Sequence, residues 1–133
     1  SERLTLYNEL STLKTEDELI AFQNKLIDRF GALPKQALNL FDSVRIKWIA
    51  SKAGIEKLVL KQGKMVGYFV SDQQSMYYQS AQFRKVLQFI QVYPKLATLK
   101  EKQTKNGLRL LLTFDQVKSI SKALENLQKL QQL

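Results

Sequence analysis

The chain has no histidine and no cysteine among its 133 residues, only two prolines and five glycines, and 12 Asp and Glu against 21 Lys and Arg. Each shortage excludes something. Without cysteine there is no disulfide, no thiolate nucleophile and no cysteine-rich zinc site. Without histidine the commonest general base and its usual nucleophile pairings are gone. No apolar run approaches the roughly 18 residues that span a bilayer, and the opening SERLTLYNEL lacks the basic start and apolar block of a signal peptide. These absences predict a protein of the reducing cytoplasm with no membrane segment. The chain also begins without Met, inside what reads as a helix, which suits a fragment of a longer multidomain protein.

What is present is enough for one core. At 44% hydrophobic and 25% charged, the chain can bury a single sizeable interior and is too short for two ordinary ones. The expectation is one domain over 1–133, with a helical part at 1–53 and a hairpin-helix-hairpin-helix part at 54–133. The charge is uneven. The first part carries eight Lys and Arg against seven acids, and the second thirteen against five, so +8 of the net +9 lies in the second. Such clustering suits either a surface that meets a polyanion or a solubilising lysine coat.

Periodicity and punctuation place the elements. Leu6, Leu10 and Leu13 recur at helical spacing in a first helix from Glu2 to Leu13. Thr15-Glu16-Asp17-Glu18 is a capping box, with three carboxylates at the positive end of a helix dipole. Leu19, Phe22, Leu26 and Phe30 continue that second helix as one apolar face, and Gly31 ends it. Pro34 opens a third helix in its first turn. There Ala37, Phe41, Val44 and Trp48 form a stripe that Leu38 and Ile49 widen, and Gly54 closes it.

From Ile55 the period becomes two. IEKLVLK and MVGYFVS flank Gln62-Gly63-Lys64 as a hairpin. A helix follows from about Ser80 to Val92 with Phe83, Val86, Leu87 and Ile90 as its apolar set, closed by Tyr93-Pro94. ATLKEKQ and LRLLLTF then flank Lys105-Asn106-Gly107, and a last helix capped by Asp115 carries Val117, Ile120, Leu124 and Leu127. The predicted class is α+β: N-terminal helices packed against a four-stranded, mainly antiparallel sheet made of two hairpin-plus-helix units. The last helix runs for barely two heptads, so it reads as core rather than coiled coil.

Little catalytic chemistry is left. The only acidic cluster, Glu16 to Glu18, is explained by its helix terminus. Lys64 follows Gly63 without the rest of a phosphate-binding loop. No catalytic residue, metal ligand or cofactor is expected in this fragment. Tyr68 and Phe69, adjacent in a strand, must point to opposite faces and cannot form a shared stacking platform. Lys95, Lys100, Lys102, Lys105 and Arg109 form a candidate basic patch, because Lys100 and Lys102 share a strand face and Arg109 lies across the hairpin. A solvated hairpin is the other reading.

The stretch LIDRFGALP, Leu26 to Pro34, is less easily explained. Asp28 sits in the last turn of a helix, against the dipole, and its neighbour Arg29 points about 100° away. An ordinary exposed aspartate and a carboxylate awaiting a partner both fit. RLTLYNELSTLKTEDEL, LIDRFGALP and GIEKLVL together resemble the C-terminal domain of bacterial transcription-repair coupling factors, from about Arg3 to the final helix, most specifically in the Asp-Arg-Phe-Gly-x-x-Pro element.

The resemblance implies a parent that is an ATP-dependent DNA translocase, displaces RNA polymerase stalled at DNA lesions and recruits UvrA for nucleotide excision repair. It implies for this domain an autoinhibitory role without catalysis: docking on the parent's UvrB-like module and masking the UvrA-binding surface. In that family the motif often reads Glu-Leu-Ile-Asp-Arg-Phe-Gly, with its two acids facing arginines of the UvrB-like module. Asp28 matches the second acid, and Lys25 stands in place of the first. Asp28 and Lys25, one turn apart, are thus the expected docking contacts, and Arg29, Phe30, Gly31 and Pro34 the residues of the motif's geometry. The competing reading is a basic module that contacts DNA directly.

Overall fold

A computed structural model describes residues 2–133, with side chains from residue 4 onward, so Ser1 and the side chains of Glu2 and Arg3 lie outside the described residues. The elements run α1 (Glu2–Thr12), α2 (Glu16–Phe30), α3 (Lys35–Lys52), β1 (Ile55–Lys61), β2 (Lys64–Phe69), a 3₁₀ turn (Met76–Gln79), α4 (Ala81–Val92), β3 (Ala97–Thr104), β4 (Gly107–Phe114) and α5 (Ile120–Gln131). The class is α+β. The chain forms two compact units, Ser1–Arg45 and Ile46–Leu133, and the division falls inside α3.

The first unit is built on α2. The Glu18 amide donates to Thr15 Oγ1 at 3.1 Å, and the Glu18 carboxylate accepts from the Lys14 amide at 3.2 Å. The box thus reaches back one residue beyond the cap. Leu10, Leu19, Phe22, Leu26 and Phe41 are buried, and Phe22 meets Phe41 edge to face at 6.2 Å. Each such side chain withdrawn from water contributes roughly 1.5–3 kcal/mol. Arg45 adds a fork, with Nε 2.7 Å from Glu16 and Nη1 2.9 Å from Asp42.

Two expectations fail in this unit. Phe30 continues the α2 stripe by spacing yet is 50% exposed, and Leu38 is 42% exposed. Periodicity fixes the direction of a side chain around its helix, not whether a neighbour reaches that far along the axis. The single α3 stripe also dissolves. Phe41 belongs to the first unit's core, whereas Ile46, Ile49 and Ala50 belong to the second's, and Val44 and Trp48 are only partly buried.

The second unit is a four-stranded antiparallel sheet in the order β1-β2-β4-β3, with α4 following the first hairpin and α5 the second. Both expected hairpins form, but each turn is two residues rather than three: Lys64 and Gly107, read as part of the connections, are strand residues paired with Lys61 and Thr104. Alternation divides the sheet. Met65, Phe69, Leu112 and Phe114 are fully buried on one face and share a core with Val86 and Phe89 of α4 and Ala123 and Leu127 of α5. On α4 the buried pair is Val86 and Phe89, while the expected Leu87 is 38% exposed, because one residue around a helix is a turn of about 100°.

The last helix starts later than expected. Its cap is Ser119, whose hydroxyl accepts from the Lys122 amide at 3.0 Å. Asp115 instead faces Lys64 at 3.7 Å. Gln116 adopts φ 59, which breaks the helical path, and the Val117 amide donates to the Gly63 carbonyl at 2.8 Å, pinning the approach to α5 onto the first hairpin.

Candidate functional site

Two surfaces carry the residues singled out in the sequence, one in each unit. The first is the end of α2. Gly31 adopts φ 80 and ψ −161 and its amide donates to the Ile27 carbonyl at 2.7 Å. That backbone region is essentially closed to other residues, and the space around the missing Cβ is empty, so conformation alone demands the glycine. The Pro34 carbonyl accepts from the Ala37 and Leu38 amides at 3.0 and 3.2 Å. Pro34 therefore caps α3 from just outside its first turn.

This geometry leaves the last turn of α2 open to solvent. Asp28 is exposed and makes no ion pair or side-chain hydrogen bond among the described residues. Lys25, one turn earlier, lies 3.8 Å from Glu9 of α1, a contact within the unit. The Arg29 guanidinium sits 5.0 Å from the centre of the Phe30 ring, so Asp28 and Arg29 do not pair. Phe30, Pro34, Tyr7 and Leu33 line an open apolar groove of ≈ 570 Å³ beside the motif.

The second surface is the sheet face away from the core. Register places Lys57 opposite Tyr68, Tyr68 opposite Leu111 and Leu111 opposite Lys100, one rung across all four strands. Lys102 and Arg109 form the next rung on β3 and β4. Three cations gather at the Tyr68 ring: Lys57, Arg109 and Lys102 lie 5.2, 5.6 and 5.8 Å from its centre. Arg109 is anchored besides, Nε to the Phe69 carbonyl and Nη2 to Glu56, both at 2.9 Å.

Of the expected basic patch, the fold joins Lys100, Lys102 and Arg109 on this face. Lys95 stands in the turn before β3 and Lys105 in the β3–β4 turn, off the rungs. Lys57 was missed. Counting outward from the Gln62-Gly63 turn would have found it, since that register sets Lys57 across from Tyr68.

Behind the sheet, Phe69, Tyr77, Tyr78 and Phe83 form an aromatic cluster with ring centres 5.1–6.2 Å apart. Tyr77 donates to the Ala53 carbonyl and Tyr78 to that of Val70. Burial pushes the Tyr77 phenol well above its usual range, and the neighbouring Tyr78 adds to the effect. Among the described residues no group of acids is placed to hold a metal ion, and no helix is long and apolar enough to cross a membrane.

Comparison with known proteins gives the chain a family. The family model for the TRCF domain matches residues 1–80. The transcription-repair-coupling factor of Rickettsia conorii is 34% identical over 99 residues, 74% of this chain and 8% of that protein. That of Escherichia coli K12 is 46% identical over 56 residues, 42% of this chain and 5% of that protein. The chain thus spans less than a tenth of the curated relatives it matches. The crystal structure of a C-terminal domain of transcription-repair coupling factor has the same fold, with a TM-score of 0.70 at 16% identity over 98% of this chain and 80% of that one. By family model, sequence and fold together, the chain belongs to the TRCF domain family of transcription-repair coupling factors.

Proposed function

We propose that this chain is a non-catalytic docking domain that restrains a transcription-repair coupling factor, seating the end of α2 on the parent's UvrB-like module and masking the surface that recruits UvrA. The parent in this reading is an ATP-dependent DNA translocase that removes stalled RNA polymerase and opens the lesion to nucleotide excision repair. The observation that carries the reading is Asp28, a solvent-exposed carboxylate at the unfavourable end of a helix dipole with no partner among the described residues. An aspartate so placed is poised for a cation from outside the unit. The apolar groove beside it, bounded by Phe30 and Pro34, offers area to a partner without requiring irreversible burial.

A restraint that must open needs modest net affinity, and exposed charge pairs supply register and orientation more than strength. The missing His and Cys fit a domain whose work is contact. Lys25, held by Glu9, leaves Asp28 as the principal acidic contact.

Calorimetric titration of this chain against the separately expressed UvrB-like module tests the reading, with wild type and Asp28→Arg compared. Saturable binding that Asp28→Arg weakens by about tenfold or more supports it. Equal affinity of the two proteins removes Asp28 from the interface. Absence of wild-type binding, both in this format and with the two modules joined by a flexible linker that raises effective concentration, overturns the docking role.

A further inference from the structure

The open face of the sheet uses none of the motif residues, and its charge is not explained by the fold. The second part of the chain holds thirteen Lys and Arg against five acids. Three of those acids are engaged: Glu56 with Arg109, Asp115 with Lys64 and Glu125 with Lys122. Glu101, opposite Leu110, points by register to the other face of the sheet, and Asp72 lies in the loop after β2. Lys57, Lys100 and Lys102 remain exposed, without ion pairs among the described residues, on the same two rungs as Tyr68 and Arg109.

We propose that this face binds single-stranded nucleic acid, with one base stacked on Tyr68 and the flanking phosphates held by Lys57, Lys100 and Lys102. Charge complementarity selects a polyanion. Cations gathered 5.2–5.8 Å from one ring centre repel one another, and an anionic strand relieves that repulsion while releasing its own counterions. The aromatic ring narrows the choice further. Every base has a π-face that stacks on tyrosine, whereas a carboxylate side chain gains nothing from it.

Geometry favours one strand over two. The sheet presents a face about 14 Å wide between its outer strands, with Tyr68 on central β2 and Lys57 and Lys100 on the two edges. An extended strand lying across it meets a cation, a ring and a second cation in turn. A duplex keeps its bases stacked on one another and has no free π-face for Tyr68. Arg109 serves as a positioning residue, because its bonds to Phe69 and Glu56 hold its guanidinium 5.6 Å from the centre of the Tyr68 ring.

Fluorescence anisotropy with a labelled DNA strand of about 12 nucleotides and the matching duplex tests this on the whole chain. The expected result is tighter binding of the strand, with a slope of log affinity against log salt of about −2 to −3, from three to four contacts. Lys57→Glu and Lys102→Glu should each lower affinity by roughly tenfold, Tyr68→Ala by a similar factor, and Tyr68→Phe should retain it. Because Tyr68→Ala could perturb the sheet, the comparison of Tyr68→Phe with Tyr68→Leu, both checked by circular dichroism, isolates the ring. Equal or tighter duplex binding, affinity indifferent to Tyr68→Leu, displacement by polyglutamate as effective as by unlabelled strand at equal charge, or no binding at low salt each overturns the proposal.

Discussion

Gly54 and Tyr77 occupy adjoining space so closely that a Cβ on Gly54 would lie 2.2 Å from Tyr77 Cε1. Gly54 also holds φ +83, and the same tyrosine donates to the carbonyl of the preceding residue, Ala53. The end of α3 and the 3₁₀ turn are thereby locked across one missing methyl group. Gly54→Ala must strain the backbone and displace the ring, which together cost about 3 kcal/mol. Urea denaturation should show a lower midpoint at an unchanged m-value.

Tyr77 also predicts a pH dependence. Burial, then the neighbouring Tyr78 phenol, raises its pKa above the usual tyrosine value, so the folded state keeps a proton that the unfolded chain releases from about pH 10. Stability present below that pH is therefore lost as pH rises above it. Ultraviolet titration should resolve a late-ionising tyrosine that Tyr77→Phe removes. Ionisation of all five tyrosines in one early phase would contradict the buried site.

Asn126 has the opposite character, a polar side chain in a site that does not use it. It is fully buried, and neither side-chain polar atom has a hydrogen-bond partner. An unsatisfied buried amide costs about 1–3 kcal/mol. Asn126→Leu, with the same number and branching of side-chain heavy atoms, should therefore raise the urea midpoint rather than lower it.

The capping box supplies a test confined to the first unit. Thr15→Ala removes the acceptor of the Glu18 amide and should destabilise by about 1 kcal/mol. The loss should appear in hydrogen exchange of the first turn of α2.

In the proposed docking role, Lys25→Glu places an acid one turn before Asp28 and separates docking from stability. The pair with Glu9 is long, at 3.8 Å, and both side chains are well exposed, so its loss should change stability by no more than about 1 kcal/mol. Affinity for the UvrB-like module should rise, read by the same titration as Asp28→Arg.

The amino-acid sequence by itself determined the elements whose signals are local. Thr15 with Glu18 announces α2, Gly31 ends it, the glycine turn after Lys61 announces a hairpin, and alternation puts Tyr68 and Phe69 on opposite faces. Each depends on bonds and torsions within a few residues, so each can be read from a few letters. The LIDRFGALP stretch stood out as a motif by its resemblance to the family, while its local physics left Asp28 with two readings.

Tertiary structure decided what depends on neighbours distant in the chain. Phe30 is half exposed although its spacing matches Leu26, Ser119 replaces Asp115 as the α5 cap, and α3 gives Phe41 to one core and Ile49 to another. The Lys57, Tyr68, Leu111 and Lys100 rung exists only because β2 pairs with β4 as well as β1. Local periodicity orients a side chain about its own axis, but burial and charge clustering are set by which other segments arrive, and that is a property of the assembled sheet and helices.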